Sequence, residues 1–136
     1  MAVTRAPLDL SQRGTFRRNE VEITGTILVG AAGAVTSTNC EIAPNITGAV
    51  GSAGSILKDA AAGRYNITFL RRFKFMRSFS GSIVHSGTGA FTGATGVLFR
   101  PGLVANQSLQ LQATAGTVDT DVTSGYTIHF SCVGQL

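Results

Sequence analysis

The segment from Gly63 to His85 alternates apolar and polar side chains with a period of two residues. This alternation places successive side chains on opposite faces of an extended strand, whereas a helix would require a period near 3.6 residues. The segment therefore predicts two antiparallel strands, about Arg64 to Leu70 and about Met76 to Val84, joined near Arg71–Phe75. The residues predicted to share the buried face are odd-numbered: Tyr65, Ile67, Phe69, Phe73, Phe75, Phe79 and Ile83.

Three further stretches, at residues 20–29, 107–115 and 126–133, show the same alternation. Residues 35–46 and 97–99 are extended but less regular, and glycine-rich segments mark the connections. No stretch has the period of a long helix. The chain of 136 residues therefore predicts an all-β fold of seven or eight strands, either an antiparallel β-sandwich or a jelly-roll-like barrel. The residues predicted to face its core in the three stretches are Val21, Ile23, Ile27, Val29, Leu109, Leu111, Ala113, Tyr126, Ile128, Phe130 and Cys132.

Positive charge is concentrated in two segments, although only 13% of all residues are charged. The first segment, residues 1–18, is polar and aperiodic, which predicts an extended basic N-terminal arm before a single β-domain at residues 19–136. The sequence leaves open whether this arm lies across a neighbouring subunit or is a disordered tail. The second, residues 64–77, holds five arginine or lysine residues and no acid. Basic segments attract nucleic acid, anionic membranes or acidic proteins, and the sign of the charge does not choose among them. The low fraction of charged residues suggests that another protein covers part of the surface.

The residue types that support catalysis form no recognisable pattern in the sequence. The histidines, His85 and His129, each lie among hydroxyl-bearing neighbours without a nearby acid or cysteine, and we expect both to be exposed and structural. The glycine-rich segment 86–96 has neither the lysine nor the following helix of a phosphate-binding loop, and it predicts a flexible β-connection. We therefore expect a protein that is not an enzyme and uses no cofactor.

Acids and cysteines give no metal-binding signature either. Asp119 and Asp121 lie in a polar turn and are too few for a calcium site, so we expect them to be solvated. Cys132 shares the apolar face of the last predicted strand and is expected to be a small buried residue. A disulfide between Cys132 and Cys40 is left open by the sequence.

Membrane-directed segments are not apparent. The first 14 residues lack the apolar stretch of a signal peptide, and the longest weakly polar run, residues 27–35, is about half the length needed to cross a bilayer. The sequence predicts a soluble protein that is synthesised in the cytoplasm and has no membrane partner.

A series of features in the second half of the chain resembles a known family. A Gly-x-Tyr-x-Ile-x-Phe segment is followed by a short stretch with phenylalanine and a serine-rich strand, and the chain closes with a Gly-x-x-Ile-x-Phe strand. The matching residues are Gly63, Tyr65, Ile67, Phe69, Phe73, Phe79, Gly125, Ile128 and Phe130. In this order, after a leading polar arm, they resemble the small β-rich virion proteins of tailed bacteriophages, of the capsid decoration or cement type.

This resemblance implies a function and a location. It implies a homotrimer on the outside of a phage capsid, made in the host cytoplasm, that clamps adjacent major capsid subunits against the pressure of the packaged DNA. On that basis, the arm residues Arg5, Arg13, Arg17 and Arg18 are expected to tether the arm to the capsid. Acidic capsid loops or adjoining protomers are expected to meet Arg71, Arg72, Lys74 and Arg77.

Two alternative functions use other parts of the same sequence. A small single-stranded nucleic-acid-binding β-barrel would use the run Arg71–Phe75, in which rings could stack on bases while cations follow the backbone. Because Phe73 and Phe75 share the parity of the predicted core, we expect nucleic acid to be an unlikely partner. A receptor-binding or adhesive virion module would instead bind sugar through polar loops, and the absence of tryptophan counts against it.

Overall fold

The computed structural model describes residues 19–35, 40–43, 46–52 and 54–136. The predicted arm, residues 1–18, lies outside the described residues. The described part contains one 3₁₀ turn, Ala31–Gly33, and nine strands. The strands are β1 Glu20–Leu28, β2 Glu41–Ala43, β3 Ile56–Lys58, β4 Arg64–Thr68, β5 Phe75–Val84, β6 Gly96–Pro101, β7 Ser108–Ala115, β8 Val118–Asp119 and β9 Thr127–Gln135.

The strands form two antiparallel sheets that pack against each other as a β-sandwich. The strand order is β2-β1-β9-β5 in the first sheet and β3-β4-β7-β6 in the second, with β8 pairing with the far end of β7. The predicted all-β class is confirmed, and of the two predicted architectures the sandwich is the correct one. Strands β3 and β8 were not predicted, because strands of three and two residues are too short to show an alternation.

Core packing follows the alternation in the three strands where the pattern was clearest, β1, β7 and β9. Of the core residues predicted there, Val21 is only partly buried. The buried ones are Ile23, Ile27, Val29, Leu109, Leu111, Ala113, Tyr126, Ile128, Phe130 and Cys132. Burial raises the pKa of the Cys132 thiol to about 11. This thiol is free, so the disulfide with Cys40 is not formed.

Strands β4 and β5 correct the first of the sequence predictions. Both strands exist close to the predicted positions, but they do not belong to one sheet. β4 pairs with β3 and β7, whereas β5 pairs with β9. Residues 69–74, which we call the link, therefore cross from one sheet to the other. Phe69 and Phe73 are both buried in the sandwich and meet edge to face, with ring centroids 6.2 Å apart.

Strand β5 corrects the prediction that two aromatic residues, Phe75 and Phe79, belong to the core, and a β-bulge accounts for the first of them. The register of β5 against β9 shifts by one residue between Arg77 and Ser80, and Ser78 has a positive φ of 57°. An extra residue in one strand reverses the parity of side chains beyond it. Ile83, beyond the bulge, is buried as predicted, whereas Phe75 lies before the bulge, faces away from the core and is 46% exposed. Phe79 has the parity of Ile83 but lies at the open side of the sandwich, where it stacks on Phe99 and is 39% exposed. The prediction that both rings belong to the core is wrong.

Candidate interaction site at the basic end

The link is held in place by its two phenylalanines and by backbone hydrogen bonds. The Phe69 amide donates to the Gln107 carbonyl at 2.8 Å, and the Phe73 amide donates to the Asn106 carbonyl at 2.9 Å. The Phe73 ring lies against the backbone of Gly134, where an added Cβ would sit 2.5 Å from Cδ1 of the ring. Because both anchors point inward, the residues between them must point towards solvent.

One end of the sandwich thus carries a surface that is both apolar and cationic. We call it the basic end, formed by the link and the adjoining loop at residues 102–107. Leu70 is 60% exposed and Leu103 is 99% exposed. Arg71, Arg72 and Lys74 are exposed beside them. The sequence did not predict that Leu103 belongs to this surface. The loop 102–107 is far from the link in sequence, and the fold brings the two together.

The cations of this surface differ in whether an acid neutralises them. Within the described residues, Arg71, Arg72 and Lys74 form no ion pair with any acid. Arg77, which the sequence grouped with them, forms an ion pair with Glu20 of β1. Arg77 is therefore already neutralised inside the chain, whereas the other three retain their charge for a partner.

Arg100 is a further exposed cation at the same end that the sequence did not single out. It precedes the last residue of β6, where Pro101 pairs with Leu109. The neighbouring Ser108 pairs with Thr68 of β4, which leads directly into the link. Only the register of the sheet brings Arg100 towards the basic end, since almost thirty positions separate it from Arg72 in the sequence.

The arm arginines Arg5, Arg13, Arg17 and Arg18 lie outside the described residues. The first described residue, Asn19, is at the basic end. Its carbonyl accepts a hydrogen bond from the Leu136 amide at 2.5 Å, and the preceding Gln135 pairs with Phe75 at the start of β5.

The opposite end of the sandwich has a contrasting arrangement, which we call the paired end. Lys58 Nζ lies 3.2 Å from Asp121 Oδ1, and Arg64 Nη2 lies 2.9 Å from Asp119 Oδ2. The Gly63 amide also donates to Asp121 Oδ1 at 2.7 Å. The expectation that both aspartates are merely solvated is therefore wrong. Their partners are more than fifty positions away in sequence, beyond the reach of a local pattern.

The third carboxylate at this end, Asp59, is also held by hydrogen bonds. The Ala61 amide donates to Oδ1 at 3.0 Å and the Asn66 side chain donates to Oδ2 at 3.2 Å. These two hydrogen bonds, that from Ala61 being the stronger influence, lower the pKa of Asp59 below its ordinary value of 3.8. Asp59 is thus stabilised as an anion at neutral pH.

A groove of about 750 Å³ lies on the outer face of the first sheet. It is lined mainly by hydroxyl-bearing residues around His129, whose ring nitrogens are 3.2 Å from the hydroxyls of Thr26 and Thr127. His129 is exposed as predicted. His85 is only half-exposed, because its ring packs on Tyr126 with centroids 4.5 Å apart. Within the described residues, His129 contacts only threonine hydroxyls, and the Nε2 of His85 lies 3.2 Å from the Ala90 carbonyl oxygen.

Stacking on a nucleic-acid base is restricted at the basic end. Phe73, one of the two rings that the sequence offered for this purpose, is only 2% exposed. Phe75 is thus the accessible one of the two rings, and a single ring lacks the row of stacking platforms on which single-strand binders depend.

The described residues show neither a metal-binding cluster nor a membrane-spanning helix. No group of three or more histidine, cysteine or acidic residues in this part of the chain could hold a metal ion. No helix among the described residues is long and apolar enough to cross a membrane. The chain matches no protein-family model, no curated protein and no solved structure.

Proposed function

We propose that this chain is a non-enzymatic structural protein of a bacteriophage virion. In this proposal it binds the outside of the capsid and stabilises it by clamping adjacent major capsid subunits. The observation that carries the proposal is the basic end, where Arg71, Arg72 and Lys74 have no acid partner in the described chain and lie beside exposed Leu70. The virion setting comes from the sequence resemblance.

The composition of the basic end favours a protein partner. Interfaces between proteins combine apolar contacts with charged groups, and arginine is enriched among the residues that contribute most to binding. Leu70 and Leu103 would lose exposed apolar area on docking, while Arg71 and Arg72 would find carboxylates on the partner. A nucleic-acid backbone would satisfy the cations but would offer nothing to the leucines.

The N-terminal arm extends this proposal. Arg5, Arg13, Arg17 and Arg18 would tether the arm to the capsid, and the position of Asn19 lets the arm start beside the link. Both basic segments would then engage the same acidic surface. We further propose that the working form is a homotrimer, because several arms and several basic ends together would hold neighbouring capsid subunits more tightly than one copy could.

Co-sedimentation with empty shells of the phage's own major capsid protein tests this proposal. We expect the wild-type chain to sediment with shells at about 50 mM salt and to be released at about 500 mM, because salt screens exposed charges. The variant Arg71→Gln/Arg72→Gln should bind about tenfold more weakly. The matched control is Thr117→Glu/Val118→Glu at the paired end, which has the same net charge as the variant and should bind within about twofold of wild type.

Three results would overturn the proposal. The first is shell binding by the Arg71→Gln/Arg72→Gln variant that equals wild type, and the second is a control that loses affinity equally. The third is absence of shell binding together with tight binding of a single-stranded oligonucleotide that Phe75→Ser abolishes. The third result would favour the nucleic-acid-binding function instead.

A further inference from the structure

Residues 78–99 contain no aspartate, glutamate, lysine or arginine. This uncharged segment includes β5 beyond its bulge, the loop that follows, and β6 up to Phe99. It follows directly after the basic segment, residues 64–77. The two segments share β5, so the strand changes from cationic to neutral along its length.

The fold brings both ends of the uncharged segment to one side of the sandwich. Within the described chain, β5 is the last strand of the first sheet and β6 is the last strand of the second. The two strands meet where Phe79 stacks on Phe99, with ring centroids 5.6 Å apart and planes at 26°. We call this side the neutral flank, formed by β5 from Ser78 to Val84 and by β6 from Gly96 to Phe99.

Edge strands of soluble proteins are usually protected from pairing with other chains. Common devices are charged side chains, proline and β-bulges. The neutral flank has one bulge at Ser78 and no charged residue, and its exposed side chains include Val84 and Leu98. The protective residues of β6, Arg100 and Pro101, come only after the flank, at the basic end. From Ser80 to Val84 the register of β5 is regular, so its outer edge can accept a further surface.

We propose that the neutral flank is the surface through which copies of this chain contact one another. This inference rests on the self-association included in the proposed function and adds the surface that mediates it. A charged partner would lose its hydration at the flank without gaining a counter-charge. The chain's own arm is a poor occupant for the same reason, since it carries four arginines. A second copy supplies a neutral surface of the same kind.

The position of the cations supports the choice of a second copy. Arg71, Arg72 and Lys74 lie on the link at the basic end, before β5 begins, and Arg77 is neutralised by Glu20. Copies that meet along the neutral flank can therefore bury it without placing these charges in the contact. Charged residues are in general depleted in the centre of protein interfaces, and a contact along the neutral flank agrees with that tendency.

Light scattering on the full chain tests the assignment. Wild type is expected to have three times the mass of one chain, and Val84→Lys/Leu98→Lys should reduce the mass threefold. The matched control, Thr117→Lys/Val118→Lys, adds the same charge at the paired end and should keep the wild-type mass. Leu98 and Val118 suit the comparison because they are 57% and 64% exposed. Far-ultraviolet circular dichroism and thermal melting confirm that each variant folds.

The outcomes separate this inference from the proposed function. The inference is overturned if wild type is a monomer, if the folded Val84→Lys/Leu98→Lys variant keeps the oligomer mass, or if the control loses it equally. It is also overturned if removal of residues 2–18 alone gives the monomer, since the arm would then join the copies. An oligomer that fails to sediment with shells contradicts only the capsid function. A folded monomeric variant that sediments with shells more weakly than wild type supports both assignments, whereas equal sedimentation would support the flank but contradict the homotrimer as the working form.

Discussion

The two ends of this sandwich use charge in opposite ways. At the paired end, Lys58 and Arg64 each contact an aspartate of the segment that contains β8, and a third aspartate is held by two hydrogen bonds. At the basic end, Arg71, Arg72 and Lys74 have no acidic partner in the described chain. Charges that fasten loops to strands serve the fold, whereas charges that project from an anchored link are available to a partner. We therefore expect substitutions at the paired end to change stability and substitutions at the basic end to change binding.

Gly63→Ala is the strongest test of the paired end as a structural element. Gly63 has a φ of 69°, and an added Cβ would lie 2.5 Å from the Ala113 carbonyl oxygen. We expect a loss of about 3 kcal/mol in the free energy of unfolding, because backbone atoms cannot move aside as side chains do. Urea denaturation measures the loss.

Gly116→Ala is the matched control for this substitution. Gly116 has a similar φ of 65°, but nothing lies within 4 Å of an added Cβ. Only the cost of the left-handed conformation remains, about 1 kcal/mol. Equal losses in the two variants would show that the packing around Gly63 contributes little.

Asp121→Ala should have the next largest effect on stability. The substitution leaves the buried Gly63 amide without its acceptor and Lys58 without its ion-pair partner. A loss of about 2 kcal/mol is expected from the unsatisfied donor and the lost pair together. Urea denaturation again gives the value, and Asp121→Asn, which keeps an acceptor oxygen, should recover part of it. A loss below about 0.5 kcal/mol would contradict the structural role of the paired end.

The pH dependence of the free energy of unfolding should also differ between the two ends, with a smaller effect than the substitutions above. The folded-state pKa of Asp59 is lower than its ordinary value of 3.8. Its contribution to stability is therefore complete above that value and is lost as pH falls through the folded-state pKa. From about pH 5 to about pH 3, unfolding free energy should fall less steeply in Asp59→Asn than in wild type. Arg71→Ala/Arg72→Ala should follow the wild-type curve, and parallel curves for all three proteins would refute the assignment.

Arg71→Ala/Arg72→Ala should have the smallest effect on stability, within about 0.5 kcal/mol of wild type, because both side chains are exposed and lack an acidic partner in the described chain. Urea denaturation measures this. Shell co-sedimentation with the same protein should show a clear loss of affinity. If the variant were strongly destabilised, these arginines would belong to the fold, and the contrast between the two ends would fail.

The sequence predicted the parts of the fold that depend on alternation alone. Strands β1, β7 and β9 alternate without interruption, and nearly every core residue predicted in them is buried. The prediction failed for Phe75 because one bulge at Ser78 reverses the parity of β5, and for Phe79 because that residue lies on the last strand of its sheet, where its ring stacks on Phe99 and stays partly exposed. It also treated β4 and β5 as partners, because their closeness in sequence carries no information about which sheet each strand joins.

The candidate site was predicted only in part for a related reason. Arg71, Arg72 and Lys74 are adjacent in sequence and could be recognised there as a basic cluster. Glu20, which neutralises Arg77, lies 57 positions away in the sequence. Leu103 belongs to a loop that contacts the link through the carbonyls of Asn106 and Gln107. Contacts of that kind are fixed by sheet register, which a local pattern does not contain.

The position of β9 also determines the order in which this sandwich can form. Within the described residues, β9 is the strand that joins β1 to β5, and β1 and β9 partners lie on the order of a hundred positions apart. The hairpins β3–β4 and β6–β7 need only local closure, so the second sheet can begin to fold first. During synthesis, Ile23 and Ile27 must remain without their β9 neighbours until nearly the whole described chain has been made. We therefore expect the first sheet to be completed after the second, and until β9 is made β1 can pair only with β2 among its sheet neighbours, which leaves its other edge open to aggregation.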